Sequence, residues 1–145
     1  MNKRSMLKVL FFSSMMFLGG VSISCSEGTP QESEQTNRKS YTNVSVEDLN
    51  NVVKANDDVV ILDVRTSPEV KEGFVQGALN FDVKGSSFKQ QAADLDKSKT
   101  IYVYCRSGHR SQIASKTLID LGFTDVRNVE GGFMAWAQNG YQIIK

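Results

Sequence analysis

The sequence predicts an α/β domain with a mostly parallel central sheet flanked by helices, on three observations. Two runs, Val59-Val60-Ile61-Leu62 and Ile101-Tyr102-Val103-Tyr104, are rich in β-branched and aromatic residues and apolar on both faces, the pattern of buried parallel strands. Segments with helical apolar spacing alternate with these runs and with weaker strand candidates. Asp63 and Cys105 each follow directly on one of the two runs, and in parallel sheets the site lies beyond the carboxyl ends of the strands. The chain has 145 residues, enough for one domain of ordinary size with its own core.

The first segment, residues 1–24, reads as a signal peptide. Lys3, Arg4 and Lys8 open it, an uncharged apolar stretch follows through Leu18, and small residues precede Cys25. Its apolar stretch is marginal for a spanning helix, which needs roughly 20 such residues. Ser22-Ile23-Ser24-Cys25 resembles a bacterial lipobox, with Ser22 where leucine is usual, so Cys25 is the expected lipidation site and membrane anchor. Ordinary cleavage after Ser24 and an uncleaved anchor are the alternatives. The expected localisation is exported: periplasmic, or membrane-anchored as a lipoprotein. Residues 25–40 follow as a flexible tether, because Gly28, Pro30, Glu32, Glu34 and Asn37 come with no large apolar residue between Ser26 and Ser40.

The domain spans residues 41–145. Tyr41–Val44 is a short strand candidate. Ser45 is a good N-cap for a helix carrying Asp48 in its first turn and Val46, Leu49, Val52 and Val53 on its apolar face. After the strand Val59–Leu62 comes Asp63-Val64-Arg65-Thr66, and then a short helix with Ser67 as cap and Pro68 first. Gly73 and Gly77 interrupt the chain before a third strand candidate, Ala78–Phe81. Ser86–Leu95 is a short helix carrying Phe88, Ala92 and Leu95. The strand Ile101–Tyr104 leads through the cysteine loop to a helix with Ile113, Ala114, Leu118 and Ile119, ended by Gly122. Val126–Val129 is the last strand. Gly131-Gly132 opens a helix containing Phe133, Trp136 and Ala137, and Asn139-Gly140 closes it.

Cys105-Arg106-Ser107-Gly108-His109-Arg110-Ser111 is where chemistry concentrates. A cysteine between a strand and a helix, followed by a glycine-containing turn, faces backbone N–H groups and a helix N-terminus, which together favour an anion. The same field favours thiolate over thiol and lowers the cysteine pKa. The competing reading is a buried core thiol. Arg106, His109 and Arg110 are poor core material, which favours a nucleophile in an anion cradle.

Composition narrows the function further. Formal net charge is +1, from 17 basic and 16 acidic residues. Losing the leader's three basic residues from the 17 leaves 14 against 16, about −2, so nothing supports nucleic-acid binding. Two distant cysteines, Cys25 and Cys105, form no disulfide framework, and no zinc-like spacing exists. No metal and no cofactor are expected.

Three stretches in order resemble the rhodanese-like family. Leu62-Asp63-Val64-Arg65 with Glu69, Gly73 and Gly77-Ala78-Leu79-Asn80 is similar to its first signature. Tyr104 to Ser111 resembles its active-site loop. Glu130-Gly131-Gly132-Phe133-Met134-Ala135-Trp136 with Asn139-Gly140-Tyr141 resembles its closing segment. The family often has histidine and proline at Phe74 and Gln76, and tryptophan at Phe133; these are scaffold positions that bear on substrate access, not on the fold.

The resemblance implies a single rhodanese-type domain that transfers sulfur by two half-reactions through a persulfide on catalytic Cys105. The implied partners are a small anionic sulfur donor such as thiosulfate and a cyanide or thiol acceptor. Arg106, Ser107, Gly108, His109 and Arg110 form the binding loop, in which Arg106 and Arg110 attract the anionic donor and His109 tunes the thiolate or faces solvent. Asp63 and Arg65 hold the surrounding loops as an ion pair. A monomer is expected.

Two other functions use the same loop. Cysteine phosphatases and arsenate reductases place arginine six residues after the cysteine. Here that position is Ser111 and the arginine is Arg110, one residue too tight for a tetrahedral oxyanion. A non-catalytic persulfide carrier delivering sulfur to a partner protein would show the same loop as the enzyme. A redox pairing of Cys105 with Cys25 requires Cys25 to be free of lipid.

Overall fold

The computed structural model describes residues 40–145. The leader, Cys25 and the tether up to residue 39 lie outside the described residues. Among the described residues ten elements alternate: β1 (Thr42–Val44), α1 (Val46–Ala55), β2 (Val60–Asp63), α2 (Ser67–Lys71), β3 (Leu79–Asn80), α3 (Phe88–Ala93), β4 (Ile101–Tyr104), α4 (His109–Asp120), β5 (Val126–Val129) and α5 (Gly132–Gln138). The five strands form one sheet in the order β1-β5-β4-β2-β3, with every pair parallel. The predicted α/β architecture is therefore the observed one.

Strand periodicity divides the core in two. Leu62, Val64, Ile101, Val103 and Cys105 point to one face, where they pack with Phe88 and Ala92 of α3 and Ala114 and Leu118 of α4. Ile61, Tyr102, Tyr104 and Val129 point to the other and pack with Val46 and Leu49 of α1 and Trp136 of α5. β4 is buried at all four positions. The register sets Leu62 opposite Val103 and Asp63 opposite Tyr104, so β2 and β4 end side by side.

Several boundaries differ from the sequence reading, each for a local reason. The cap of α2 is Thr66, not Ser67: Glu69 Oε2 accepts from both the Thr66 N–H (3.0 Å) and its hydroxyl (2.8 Å), and only Thr66 has an acid three residues on. α4 begins at His109, directly after Gly108, so Arg110 and Ser111 belong to its first turn. Its buried stripe is Ser111, Ala114, Ser115 and Leu118, which leaves Ile113 49% exposed and outside the core. The third strand contracts to Leu79–Asn80, at the sheet edge. Ser45 caps α1 as expected: its Oγ accepts from the Asp48 N–H at 3.1 Å, while the Asp48 carboxylate accepts from the Ser45 N–H at 2.9 Å. No helix among the described residues is long and apolar enough to cross a membrane.

Candidate active site

Cys105 directly follows β4 and is only 1% exposed. Its sulfur accepts from the Gly108 N–H at 3.1 Å. Gly108 has φ +106°, a conformation that favours glycine, and this reversal folds the loop back over the sulfur. Burial pushes the Cys105 thiol up, but donation from the Ser111 N–H and hydroxyl and from the N–H groups of Gly108 and Ser107 outweighs it. The net effect is a pKa below the ordinary cysteine value. Ser111 is a site residue that the sequence reading placed only within the loop. Its hydroxyl carries a single proton and faces two acceptors, the Cys105 sulfur and the Gly108 carbonyl at 2.9 Å.

The loop N–H groups point inward because α5 holds the carbonyls outward. Phe133 N–H donates to the Cys105 carbonyl at 2.8 Å, and Met134 N–H to the Arg106 carbonyl at 3.0 Å. A peptide plane is trans, so fixing the Arg106 carbonyl toward Met134 turns the Ser107 N–H the other way, toward the sulfur. Close approach of the two backbones requires Gly132. A Cβ there would lie 2.3 Å from the Cys105 oxygen and 3.0 Å from the Arg106 carbonyl. Neither Gly132 nor its neighbours carry a reactive group, and only the Gly-Gly pair at a helix start signals this function in the sequence.

Asp63 and Arg65 sit at the end of the adjacent strand and are 0% and 2% exposed. The Arg65 Nη2 lies 2.6 Å from Asp63 Oδ2, its Nε donates to both carboxylate oxygens at 3.0 Å, and its backbone N–H donates to Oδ1 at 2.9 Å. The guanidinium also donates to the carbonyls of Glu69 and Gly73 and stacks 3.9 Å from the Phe133 ring centroid. Strand alternation puts Asp63 with Tyr104, on the face opposite the Cys105 side chain. The pair thus reaches the cysteine loop through Phe133, whose N–H holds the Cys105 carbonyl.

The loop cations divide. Arg110 is ion-paired: its Nη1 and Nη2 meet the two oxygens of Glu69 at 2.8 and 2.6 Å. The Arg110 guanidinium holds the Glu69 carboxyl down at about 2, with the Thr66 cap bonds assisting. Arg110 therefore straps α4 to α2 instead of presenting an uncompensated charge to a donor, a difference from the sequence expectation. Arg106 is exposed and makes no ion pair among the described residues. Ser107 and His109 are exposed as well. Among the described residues, no group of three His, Cys, Asp or Glu side chains could hold a metal ion.

A buried cysteine thus stands at the carboxyl edge of a parallel sheet, in a loop whose Gly108 N–H faces its sulfur. Residues 45–139 match the family model of the rhodanese-like domain, so the chain belongs to the rhodanese-like family. It is 31% identical over 101 residues to a sulfurtransferase of Allochromatium vinosum, covering 70% of this chain and 92% of that one. It is 38% identical over 89 residues to thiosulfate sulfurtransferase 16 of Arabidopsis thaliana, covering 54% of this chain and 74% of that one. The crystal structure of a rhodanese-related protein from Thermoplasma volcanium superposes with a TM-score of 0.63 at 31% identity, covering 72% of this chain and 98% of that one. Family and relatives together support sulfur transfer as the general chemistry of the domain.

Proposed function

We propose that the domain is a thiosulfate sulfurtransferase working through a Cys105 persulfide. The Cys105 thiolate attacks the outer sulfur of thiosulfate, the S–S bond of the donor breaks with its electron pair, and sulfite leaves. Cyanide or a deprotonated thiol then attacks the terminal sulfur of the persulfide, forming thiocyanate or a new persulfide and returning the thiolate. No general base is needed once the thiolate exists. The observation that carries this reading is the Gly108 N–H donating to a buried sulfur at 3.1 Å, in a loop whose Ser107 and Ser111 N–H groups also lower the thiol pKa and would stabilise a terminal sulfur anion in the same way. The Arg110–Glu69 pair weighs against a phosphatase, which requires its arginine on the substrate oxyanion. We further propose that the chain acts outside the cytoplasm as a monomer, attached to a membrane through acylated Cys25, with no nucleic-acid partner.

Intact mass spectrometry of the mature protein after thiosulfate treatment tests these proposals together. One sulfur added to wild type, lost on cyanide addition and absent in Cys105→Ala is the expected result. No adduct on an alkylatable Cys105 would overturn the mechanism. An adduct that forms once without steady-state thiocyanate production would mark a persulfide carrier instead. The same spectrum reads the mass at Cys25, where acyl chains are expected.

A further inference from the structure

Residues 142–145 follow α5 and pair with the stretch after α2. Phe74 N–H donates to the Ile144 carbonyl and Ile144 N–H to the Phe74 carbonyl, both at 2.9 Å, an antiparallel bridge outside the five-stranded sheet. The indole N–H of Trp136 in α5 donates to the Gln142 carbonyl at 2.9 Å, so the same segment is also fixed to α5. Between these two anchors stands Ile143, which packs on the same core cluster as Phe133 and Tyr141. Its approach to Gly73 is close. A Cβ on Gly73 would lie 2.4 Å from Ile143 Cγ2 and 3.7 Å from Phe133 Cζ. The Ile143 methyl group therefore occupies the space of a Gly73 side chain, and the tip of the Phe133 ring borders that space.

Those contacts lead to the cysteine loop. The Gly73 carbonyl accepts from Arg65 Nη2 at 2.8 Å, and the Arg65 guanidinium lies 3.9 Å from the Phe133 ring centroid. The Phe133 ring is thus fixed by Arg65 over its face and by Gly73 at its tip, while the Phe133 N–H holds the Cys105 carbonyl at 2.8 Å. Residues 142–145 take no part in burying the Cys105 side chain, which packs with α3 and α4 on the other face of the sheet. We propose that Ile143 is a positioning residue for sulfur transfer at Cys105, acting through Gly73 and Phe133 on the carbonyl behind the sulfur. The inference deepens the sulfur-transfer reading, on which its rate readout rests. The γ2 methyl group of Ile143 supports Gly73, and Gly73 keeps Arg65 and the Phe133 ring in place. The first turn of α5 then keeps the Cys105 carbonyl turned away from the sulfur, so that the loop N–H groups face it. Such donors stabilise a sulfur anion only while they hold that direction.

Two conservative substitutions separate positioning from packing. Ile143→Val keeps the γ2 methyl group that faces Gly73, whereas Ile143→Leu removes it at constant volume, and swaps of this kind leave a core folded. Leu121→Ala is the control for lost stability alone, because Leu121 packs on the core at the end of α4 remote from the cysteine loop. Persulfide formation from thiosulfate is followed by mass at a temperature where every variant is folded. The thiol pKa is read from the pH dependence of iodoacetamide alkylation at Cys105, resolved from Cys25 by peptide mass. In Ile143→Leu persulfide formation should slow about tenfold, part of the ~10²–10³-fold that loss of a preorganised donor costs, and the alkylation profile should move to higher pH. Ile143→Val should match wild type in both readouts, and Leu121→Ala should melt earlier while keeping both. A wild-type rate and profile in Ile143→Leu would overturn the assignment. So would an Ile143→Val or Leu121→Ala variant that shifted them as far. Failure of wild type to take up sulfur would overturn the sulfur-transfer reading, and the alkylation profiles would then decide this inference without it.

Discussion

At the end of β2 the chain is fixed by side chains, whereas at the end of β4, one strand away, it is fixed by backbone. Asp63 and Arg65 meet in a buried bidentate pair, capped by carbonyls and an aromatic ring. Asn80 stitches the same corner by donating to the Asp63 and Arg65 carbonyls at 3.0 and 2.8 Å. Around Cys105 the fixing groups are amides: Gly108 on the sulfur, and Phe133 and Met134 on the carbonyls behind it. A corner made of side chains is broken by deleting a side chain, and a loop made of amides is broken by adding one. The first should fail as a fold and the second as a site.

The largest effect on stability is expected at the side-chain corner. Asp63→Ala leaves the Arg65 guanidinium buried without its counter-charge, which costs about 3–5 kcal/mol. Denaturant unfolding should show this as a lower midpoint with an unchanged slope. Activity should fall with it, because Arg65 stacks on Phe133 and Phe133 holds the Cys105 carbonyl. Full sulfur transfer at unchanged stability in Asp63→Ala would show that the corner is not the support described here.

Gly132→Ala tests the amide-built loop. The added methyl group would sit 2.3 Å from the Cys105 oxygen, at a φ of +54° that L side chains rarely adopt. Separating the two backbones should cost about 1–3 kcal/mol, as overpacking does. The rate of persulfide formation should suffer more, by about 10²-fold, the loss typical of one preorganised donor in an anion hole. The thiol pKa, followed by thiolate absorbance, should rise toward the ordinary cysteine value. A variant that lost stability as severely as Asp63→Ala while keeping its low thiol pKa would erase the contrast between the corners.

The two regions were also unequally legible. β2 and β4 could be read from their β-branched runs, and the Cys105 loop could be read because basic residues and a glycine after a buried strand have no packing explanation. What stayed hidden depends on contacts across the chain. Glu69 caps α2 through Thr66 and also holds Arg110, 41 residues away. The α5 clamp is made of amides that every residue possesses, so no residue type announces it. The start of α4 was read too late because its first turn is polar and its apolar period begins only at Ile113. Yet those polar residues, Arg110 and Ser111, carry the strap to α2 and the hydroxyl facing the sulfur.

The Glu69–Arg110 strap joins the two corners, and its removal is the mildest of the three changes. The pair is partly exposed, with side-chain exposures of 26% and 17%, so solvent weakens it; Glu69→Gln should cost about 1 kcal/mol, or about 4 °C in thermal midpoint for a domain of this size. The effect has a pH signature. The Glu69 carboxyl is held at about 2, against 4.5 ordinarily, so its contribution is complete above pH 4.5 and is lost as pH falls from there toward 2. Acid weakens other pairs too, among them Asp125, whose carboxyl the bonded Arg127 guanidinium holds below its ordinary value. The informative quantity is therefore the gap between wild type and Glu69→Gln. That gap should be constant from pH 7 down to about 5 and shrink toward pH 2. A gap that stayed constant to pH 2 would assign the loss to the α2 cap at Thr66, whose bonds glutamine can partly replace, rather than to the charge on Arg110. The strap would then be local to α2, and the side-chain corner and the amide loop would be joined only through Phe133.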